Sequence, residues 1–271
     1  MAEPDVRPFQ TRFGPMLALA GDRYISRSLE LYGEFSPAEW RLLAQLVKPG
    51  MTVVEMGANI GAHSVALARA CAPGPLYVFE PQQRVFQLLC ANLALNGVRN
   101  AIAYPEAGGA ADGVVLLPRL DYAAPFNFGG VSVTPEGPGL SGVRVRATPL
   151  DSLDLAACHL IKVDVEGFEA QVLRGAVETI RRRRPVLYVE NDRKALQGEL
   201  IELIASLGYR QYWHLPPLFS PDNFNGCRED AFGNVVSVNM LCIPQERNTV
   251  VQEMELIDPA NWTSPVQLQG A

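Results

Sequence analysis

"VVEMGANIGAHS" (residues 53–64) hands a β-branched run to a helix-like stretch through a turn of small residues. "TVVEM" (52–56) reads as a strand and "GAHSVALARAC" as a helix. The handover at Gly57, Ala58, Asn59 and Gly61 makes this the first strand-turn-helix unit of an α/β sheet. Working outward, the unit recurs. "PLYVFE" (75–80) is the next strand, "QRVFQLLCANLALNG" a helix stopped by Gly97, and "NAIAYPEA" a third strand. A Gly- and Pro-rich insertion (105–142) leads to "VRVRAT", the strand "HLIKVD" and the helix "FEAQVLRGAVETIRRRR". The strand "PVLYVEND" (185–192), the helix "KALQGELIELIASLGY" and the β-prone run "GNVVSVNMLCI" (233–243) close the pattern. The fold class is therefore α/β, a doubly wound, mostly parallel sheet. Residues 1–50 are expected to form an N-terminal helical cover, with Ser36 three positions before Glu39 in "SPAEWRLLAQL" as in a capping box. Residues 51–271 form the main domain.

Composition narrows the function. The chain has 271 residues, 48% of them hydrophobic, and a net charge of −6. That size can bury a large core, and the acidic balance supplies no overall attraction to phosphate backbones, so nucleic acid is not an expected partner. The run "RRRR" (181–184) at a helix end complements the helix dipole and solvates the end. Five cysteines without a C-x-x-C pair read as incidental thiols of a reducing compartment. "PMLALA" is too short for a signal peptide, and no apolar run approaches the roughly 18 residues of a membrane helix. A cytoplasmic protein is expected, with a homo-oligomer left open.

The first glycine turn limits the ligand. A dinucleotide fingerprint needs G-x-G-x-x-G, but counting from Gly57 puts Asn59 and Ala62 where the second and third glycines belong. No lysine followed by Ser or Thr completes a P-loop. An acid, Glu55, two residues before the turn suits a ligand with a cationic or amino-acid tail. Glu80 ends the second strand, where an acid can accept hydrogen bonds from both hydroxyls of a ribose. The plainer reading of this pair is a tight turn and a solvated acid.

"VVEMGANIGAHSVALA", "YVFEPQQRVFQLLCANLALN", "LDSL" and "HLIKVDVEGFEAQVLRGA", in this order, resemble the FkbM-type class I methyltransferases, which use S-adenosyl-L-methionine, over about residues 30–190. The resemblance implies a Rossmann-like, seven-stranded sheet ending in an antiparallel hairpin. It implies O-methylation, commonly of sugar or natural-product hydroxyls. Glu55, Gly57, Asn59 and Gly61 then correspond to the turn around the methionine moiety, and Glu80 to the ribose acid. Glu34, in "YGEF", corresponds to a lead-in segment touching the cofactor, and Glu106 and Ala107 to the adenine contact.

"IKVDVEGFE" (161–169) ends the fourth strand in three acids. Ligands of open α/β sheets lie beyond the carboxyl ends of the strands, so Asp164 and Glu166 should face the reactive end of the cofactor. Two mechanisms stay open. In one, Asp164 or Glu166 accepts the hydroxyl proton, with His214 as an alternative base. In the other, Asp164 joins Glu190 and Asn191 to hold Mg²⁺, as in the metal-dependent catechol-type methyltransferases these strand ends resemble. Lys162, two positions before Asp164, shares its strand face and can hold it ionised. Glu169 is assigned to the helix dipole, a contribution of about 0.3–1 kcal/mol.

The loops at 105–142 and 212–232 are rich in aromatics, Asn and Gly, and are expected to carry a small-molecule or glycan acceptor. Asn127, Trp213, His214, Asp222 and Asn223 are the substrate-side candidates, though each is equally at home as a packing or turn residue. Two other classes compete with an O-methyltransferase. One is a non-catalytic nucleoside-binding module, opposed by Asp164 and Glu166; the other is an NAD-linked oxidoreductase, opposed by Asn59 and Ala62.

Overall fold

A computed structural model describes residues 5–265. The chain runs β1 (Val6–Thr11), β2 (Gly14–Leu19), α1 (Ile25–Tyr32), α2 (Pro37–Leu46), β3 (Val53–Met56), α3 (Ser64–Cys71), β4 (Leu76–Phe79), α4 (Gln83–Leu95) and β5 (Ala101–Tyr104). It continues through β6 (Ala107–Gly108), β7 (Gly113–Leu117), β8 (Thr134–Pro135), β9 (Val143–Thr148), β10 (Leu160–Val163), α5 (Glu169–Arg174) and α6 (Val177–Arg183). It ends with β11 (Val186–Glu190), α7 (Gln197–Ser206), β12 (Tyr209–His214) and β13 (Asn239–Pro244).

Seven strands form one sheet in the order β12-β13-β11-β10-β3-β4-β5. β3, β4, β5, β10 and β11 are parallel neighbours, while β13 runs antiparallel to both β11 and β12. The doubly wound sheet and its antiparallel closing hairpin are as the sequence led one to expect. Strands buried on both faces are largely apolar, and β3 and β10 are buried at all four positions with Glu55 and Lys162 as their charged exceptions. Alternate side chains feed two cores. Val53 and Leu160 pack with α3 and α4 on one face, while Val54 and Ile161 pack with α5, α6 and α7 on the other.

Three sequence expectations are corrected. The first fifty residues are not wholly helical, because the β1–β2 hairpin precedes α1 and α2. The hairpin is fastened to α4 by the buried Asn92 amide, which accepts from Leu17 N at 2.7 Å and donates to Leu17 O at 2.9 Å. The capping box at α2 does not form. Ser36 sits in the left-handed region with φ 42° and an unpartnered hydroxyl, while Glu39 turns into the protein. The helix after β10 is broken into α5 and α6 at Gly175, where a Cβ would stand 1.9 Å from the Gly109 carbonyl oxygen. The insertion is also more ordered than its composition implies. Its strands β6, β7 and β8 join β9 ("VRVRAT") in a separate four-stranded sheet.

Candidate active site

The parallel strands all end on one side, and their carboxyl ends open into a cavity of about 320 Å³, within the range of roughly 300–1,000 Å³ typical of small-molecule sites. β3 delivers Gly57 and Asn59, β4 delivers Glu80 and Gln82, and the turn after β5 delivers Glu106 and Ala107. β10 delivers Asp164 and Glu166, and β11 delivers Glu190, Asp192 and Arg193. Asn127 of the insertion, Tyr24, Phe35 and Glu39 of the N-terminal segment, and Leu218 with residues 235–239 leading into β13 also line the cavity.

The turn after β3 is built by backbone constraint. Gly57 has φ 83°, and a Cβ there would lie 1.7 Å from the Asp164 carbonyl oxygen, so only glycine lets β3 and β10 release their loops side by side. Asn59 is also left-handed at φ 50°, a conformation its short polar side chain tolerates. Its N–H donates to Glu80 Oε2 at 3.0 Å, and Gln82 N donates to Glu80 Oε1 at 2.8 Å. The buried Glu80 carboxylate is thus fixed at the cavity wall with lone pairs left to accept further hydrogen bonds. Burial pushes its pKa up to about 7, against those two backbone donors. Gln82 Nε2 donates to Phe128 O at 2.8 Å, which ties the insertion to the end of β4.

A buried ammonium organises the reactive side. Parallel pairing sets Lys162 of β10 beside Glu55 of β3. Lys162 Nζ lies 3.0 Å from Asp164, 3.6 Å from Glu39 and 3.9 Å from Glu55. Burial opposes its charge, but the three carboxylates outweigh burial and hold its pKa above the ordinary lysine value. Glu55 also accepts from Ser64 Oγ, and burial pushes it up to about 7 despite Lys162. His63 Nδ1 lies 3.6 Å from Glu39, and burial lowers its pKa below the ordinary imidazole value.

The acids after β10 separate by environment. Asp164 is partly exposed at 34%. Glu166, with φ 58°, is left-handed and ion-paired with Arg193; burial, with the Asp164 charge next, pushes it up to about 8. A non-glycine residue held there carries strain of about 1–3 kcal/mol, a cost characteristic of functional turns. Glu169 accepts from Val165 N at 3.2 Å and Gly167 N at 3.0 Å and so closes the turn that presents Glu166. Asp164, Glu166 and Glu190 each bring an oxygen within 4.8 Å of the others.

Several residues singled out in the sequence stand elsewhere. Glu34 does not reach the cavity: it is buried, pairs with Arg12 at 2.6 Å and accepts from Phe224 N at 2.9 Å. Glu55 and Gly61 lie behind the wall, with Leu89 packed where a Gly61 Cβ would project. The Asn191 amide turns to Met240 Sδ, so the third group beside Asp164 and Glu190 is Glu166. Trp213 and His214 border a different cavity behind the last hairpin. His214 Nδ1 meets Tyr188 OH at 2.8 Å, and burial lowers its pKa. Asp222 gives its carbonyl to Arg12, and buried Asn223 braces its own turn through Ser220 and Cys227. Of the substrate-side set, Asn127 lines the cavity, its Oδ1 accepting from Gly130 N at 3.0 Å.

Sequence reasoning missed Glu39, Asp192 and Arg193. Glu39 was hidden by a plausible capping pattern. Asp192 and Arg193 follow the β11 acid directly in sequence, and their place at a strand's carboxyl end was the available signal.

The family model described as "Methyltransferase FkbM domain" matches residues 55–211, more than half of the chain. The methyltransferase sdnD of Sordaria araneosa is 31% identical over 156 residues, covering 46% of this chain and 60% of that protein. The chain therefore spans about three fifths of this relative. Among solved structures, a methyltransferase FkbM from Methylobacillus flagellatus KT is 16% identical over 75% of this chain and 50% of its own, with a TM-score of 0.47. TYW2 of M. jannaschii, solved in complex with AdoMet, is 13% identical over 89% of this chain and 87% of its own, with a TM-score of 0.48.

Proposed function

Since the chain belongs to the FkbM methyltransferase family, we propose that it is an S-adenosylmethionine-dependent O-methyltransferase acting on a hydroxyl of a sugar, glycolipid or secondary metabolite. The observation that carries this reading is the pairing of two unlike acids across one cavity. Glu80 is fixed at one wall, and Asp164 stands at the other on a buried lysine.

The residues present fit the cofactor. Glu80 has free lone pairs for two ribose hydroxyls, and Gly57 and Asn59 keep the backbone low beside the place for its amino-acid tail. Glu106, held by Thr148 Oγ1, and Ala107 flank the adenine end. Held by these residues, the cofactor would supply an electrophilic methyl group on a sulfonium for transfer to the acceptor oxygen, with the carbon–sulfur electron pair left on sulfur.

The protein has two tasks, alignment and one proton. Alignment is the larger, up to about 7–11 kcal/mol, against roughly 10²- to 10⁴-fold for a general base. Tyr24, Phe35 and Asn127 on the open side bound the acceptor's place. Absent a bound cation, Asp164, ion-paired with Lys162 at 3.0 Å, takes the hydroxyl proton. Among the described residues no helix is long and apolar enough to cross a membrane.

The test is calorimetric titration of the chelator-treated chain with S-adenosylhomocysteine. Binding should weaken at least about tenfold in Glu80→Gln and Glu80→Ala, as the loss of charged hydrogen bonds demands. Absence of binding in the unaltered protein would sink the reading.

A further inference from the structure

Resting on that reading, we propose that Asp164, Glu166 and Glu190 form a binding site for a hard divalent cation, Mg²⁺ or Mn²⁺, and that the acceptor presents two neighbouring oxygens to it. The first observation is geometric. The three carboxylates bring oxygens within 4.8 Å of one another. Around an ion with ligands at about 2.1 Å, neighbouring and opposed oxygens stand roughly 3–4 Å apart, so small side-chain rotations close the set.

The second observation is independent of that clustering. Glu190 Oε2 is buried without a hydrogen-bond partner, although Glu190 lines the cavity. An orphaned carboxylate oxygen is expensive in a protein interior, and buried charges are normally paired or coordinate a metal. Its neighbours do not satisfy it. Arg193 is engaged on Glu166 and Asp192, and Lys162 on Asp164, Glu39 and Glu55.

Charge points the same way. Asp164, Glu166, Glu190 and Asp192 face the cavity, with Lys162 and Arg193 as their cationic partners. Glu39 and Glu55 draw further on Lys162.

The ligand set differs from an acid-and-amide pair at the end of β11, because the Asn191 amide is turned to Met240. Three carboxylates leave about three positions of an octahedral ion open to the cavity. A vicinal diol or an α-hydroxy carbonyl fills two of them, one being the hydroxyl to be methylated. A bound ion lowers that hydroxyl's pKa, so its proton leaves to solvent before transfer. Asp164 is then a ligand rather than the proton acceptor.

The experiment is titration of the full, chelator-stripped chain with Mn²⁺, followed by the electron paramagnetic resonance of the free ion, with Mg²⁺ as competitor. One ion per chain is expected, with affinity falling at least tenfold in Glu190→Gln and Glu166→Gln and holding in Asn191→Ala. Lack of saturable binding in the unaltered protein up to about 1 mM, the weak end of oxygen-ligand sites, would overturn the proposal and needs no variant. So would binding that ignores Glu190→Gln. If glucosamine binds where Mn²⁺ does not, the acids serve a cationic acceptor and the metal is excluded. S-adenosylhomocysteine titrated into the same metal-free samples separates the two readings. Its binding without Mn²⁺ binding refutes only the metal, and the converse refutes only the methyltransferase.

Discussion

Replacing Lys162 by Met should destabilise the fold by about 3–5 kcal/mol, the usual cost of removing one partner from a buried ion pair. The structure sets that size. The ammonium is 3% exposed and stands 3.0, 3.6 and 3.9 Å from Asp164, Glu39 and Glu55. At an effective dielectric of 20 each contact attracts by about 4–6 kcal/mol, and desolvation of the ammonium cancels most of the total. Met keeps the volume but strands the carboxylates. The loss should also depend on pH. Burial already lifts Glu55 to about 7 with Lys162 opposing the rise, and without the lysine it rises further. A carboxyl whose folded pKa exceeds its unfolded value holds a proton the unfolded chain has released, so stability falls as pH climbs between the two. The variant extends that window upward, and its deficit should be larger at pH 8 than at pH 5.5. Urea unfolding at both values measures this. Adding Glu39→Gln should restore part of the loss by removing one stranded charge. A deficit below about 1 kcal/mol, equal at both pH values and untouched by Glu39→Gln, would show that Lys162 is not the hub of a buried ion network.

Two further variants separate chemistry from support. Asp164→Asn should lower turnover at least about a hundredfold while leaving S-adenosylhomocysteine affinity within a fewfold of the unaltered chain; near-normal turnover would remove Asp164 from the mechanism. Glu34→Ala should cost about 1–3 kcal/mol in urea unfolding by leaving Phe224 N unpaired and taking the carboxylate partner from the Arg12 guanidinium. Its S-adenosylhomocysteine affinity should not move, and a tenfold loss there would return Glu34 to the cofactor site.

What the sequence disclosed follows the range of the interactions involved. The sheet was legible because strands buried on both faces are largely apolar, as β3, β10 and β11 are apart from Glu55, Lys162 and Glu190. Strand-end residues were legible because one short turn fixes where a side chain emerges, which covers Gly57, Asn59, Glu80, Asp164 and Glu190. Residues placed by tertiary contact were not. Glu34 and Glu39 lie five positions apart around the start of α2, yet one is fixed by Arg12 of the hairpin turn and the other by Lys162 of β10. No local pattern distinguishes them, and the capping spacing at Ser36 pointed away from the truth. Trp213 and His214 failed for a related reason. β13 inserts between β11 and β12, which moves the end of β12 one strand farther from the cavity.

The same insertion explains why the acids gather where they do. With β13 antiparallel, the β11 end is flanked by the start of β13, where Asn239 Nδ2 donates to Tyr188 OH at 2.9 Å instead of to Glu190. On the other side Asp164 draws Lys162 to itself. Glu190 is thus left between two neighbours whose polar groups are already committed. An acid placed there must either stay protonated or meet a cation arriving with the ligand. If it stays protonated, Glu190→Gln would be nearly silent in both Mn²⁺ affinity and turnover; if a cation completes the site, the same change should weaken Mn²⁺ binding and slow methyl transfer together.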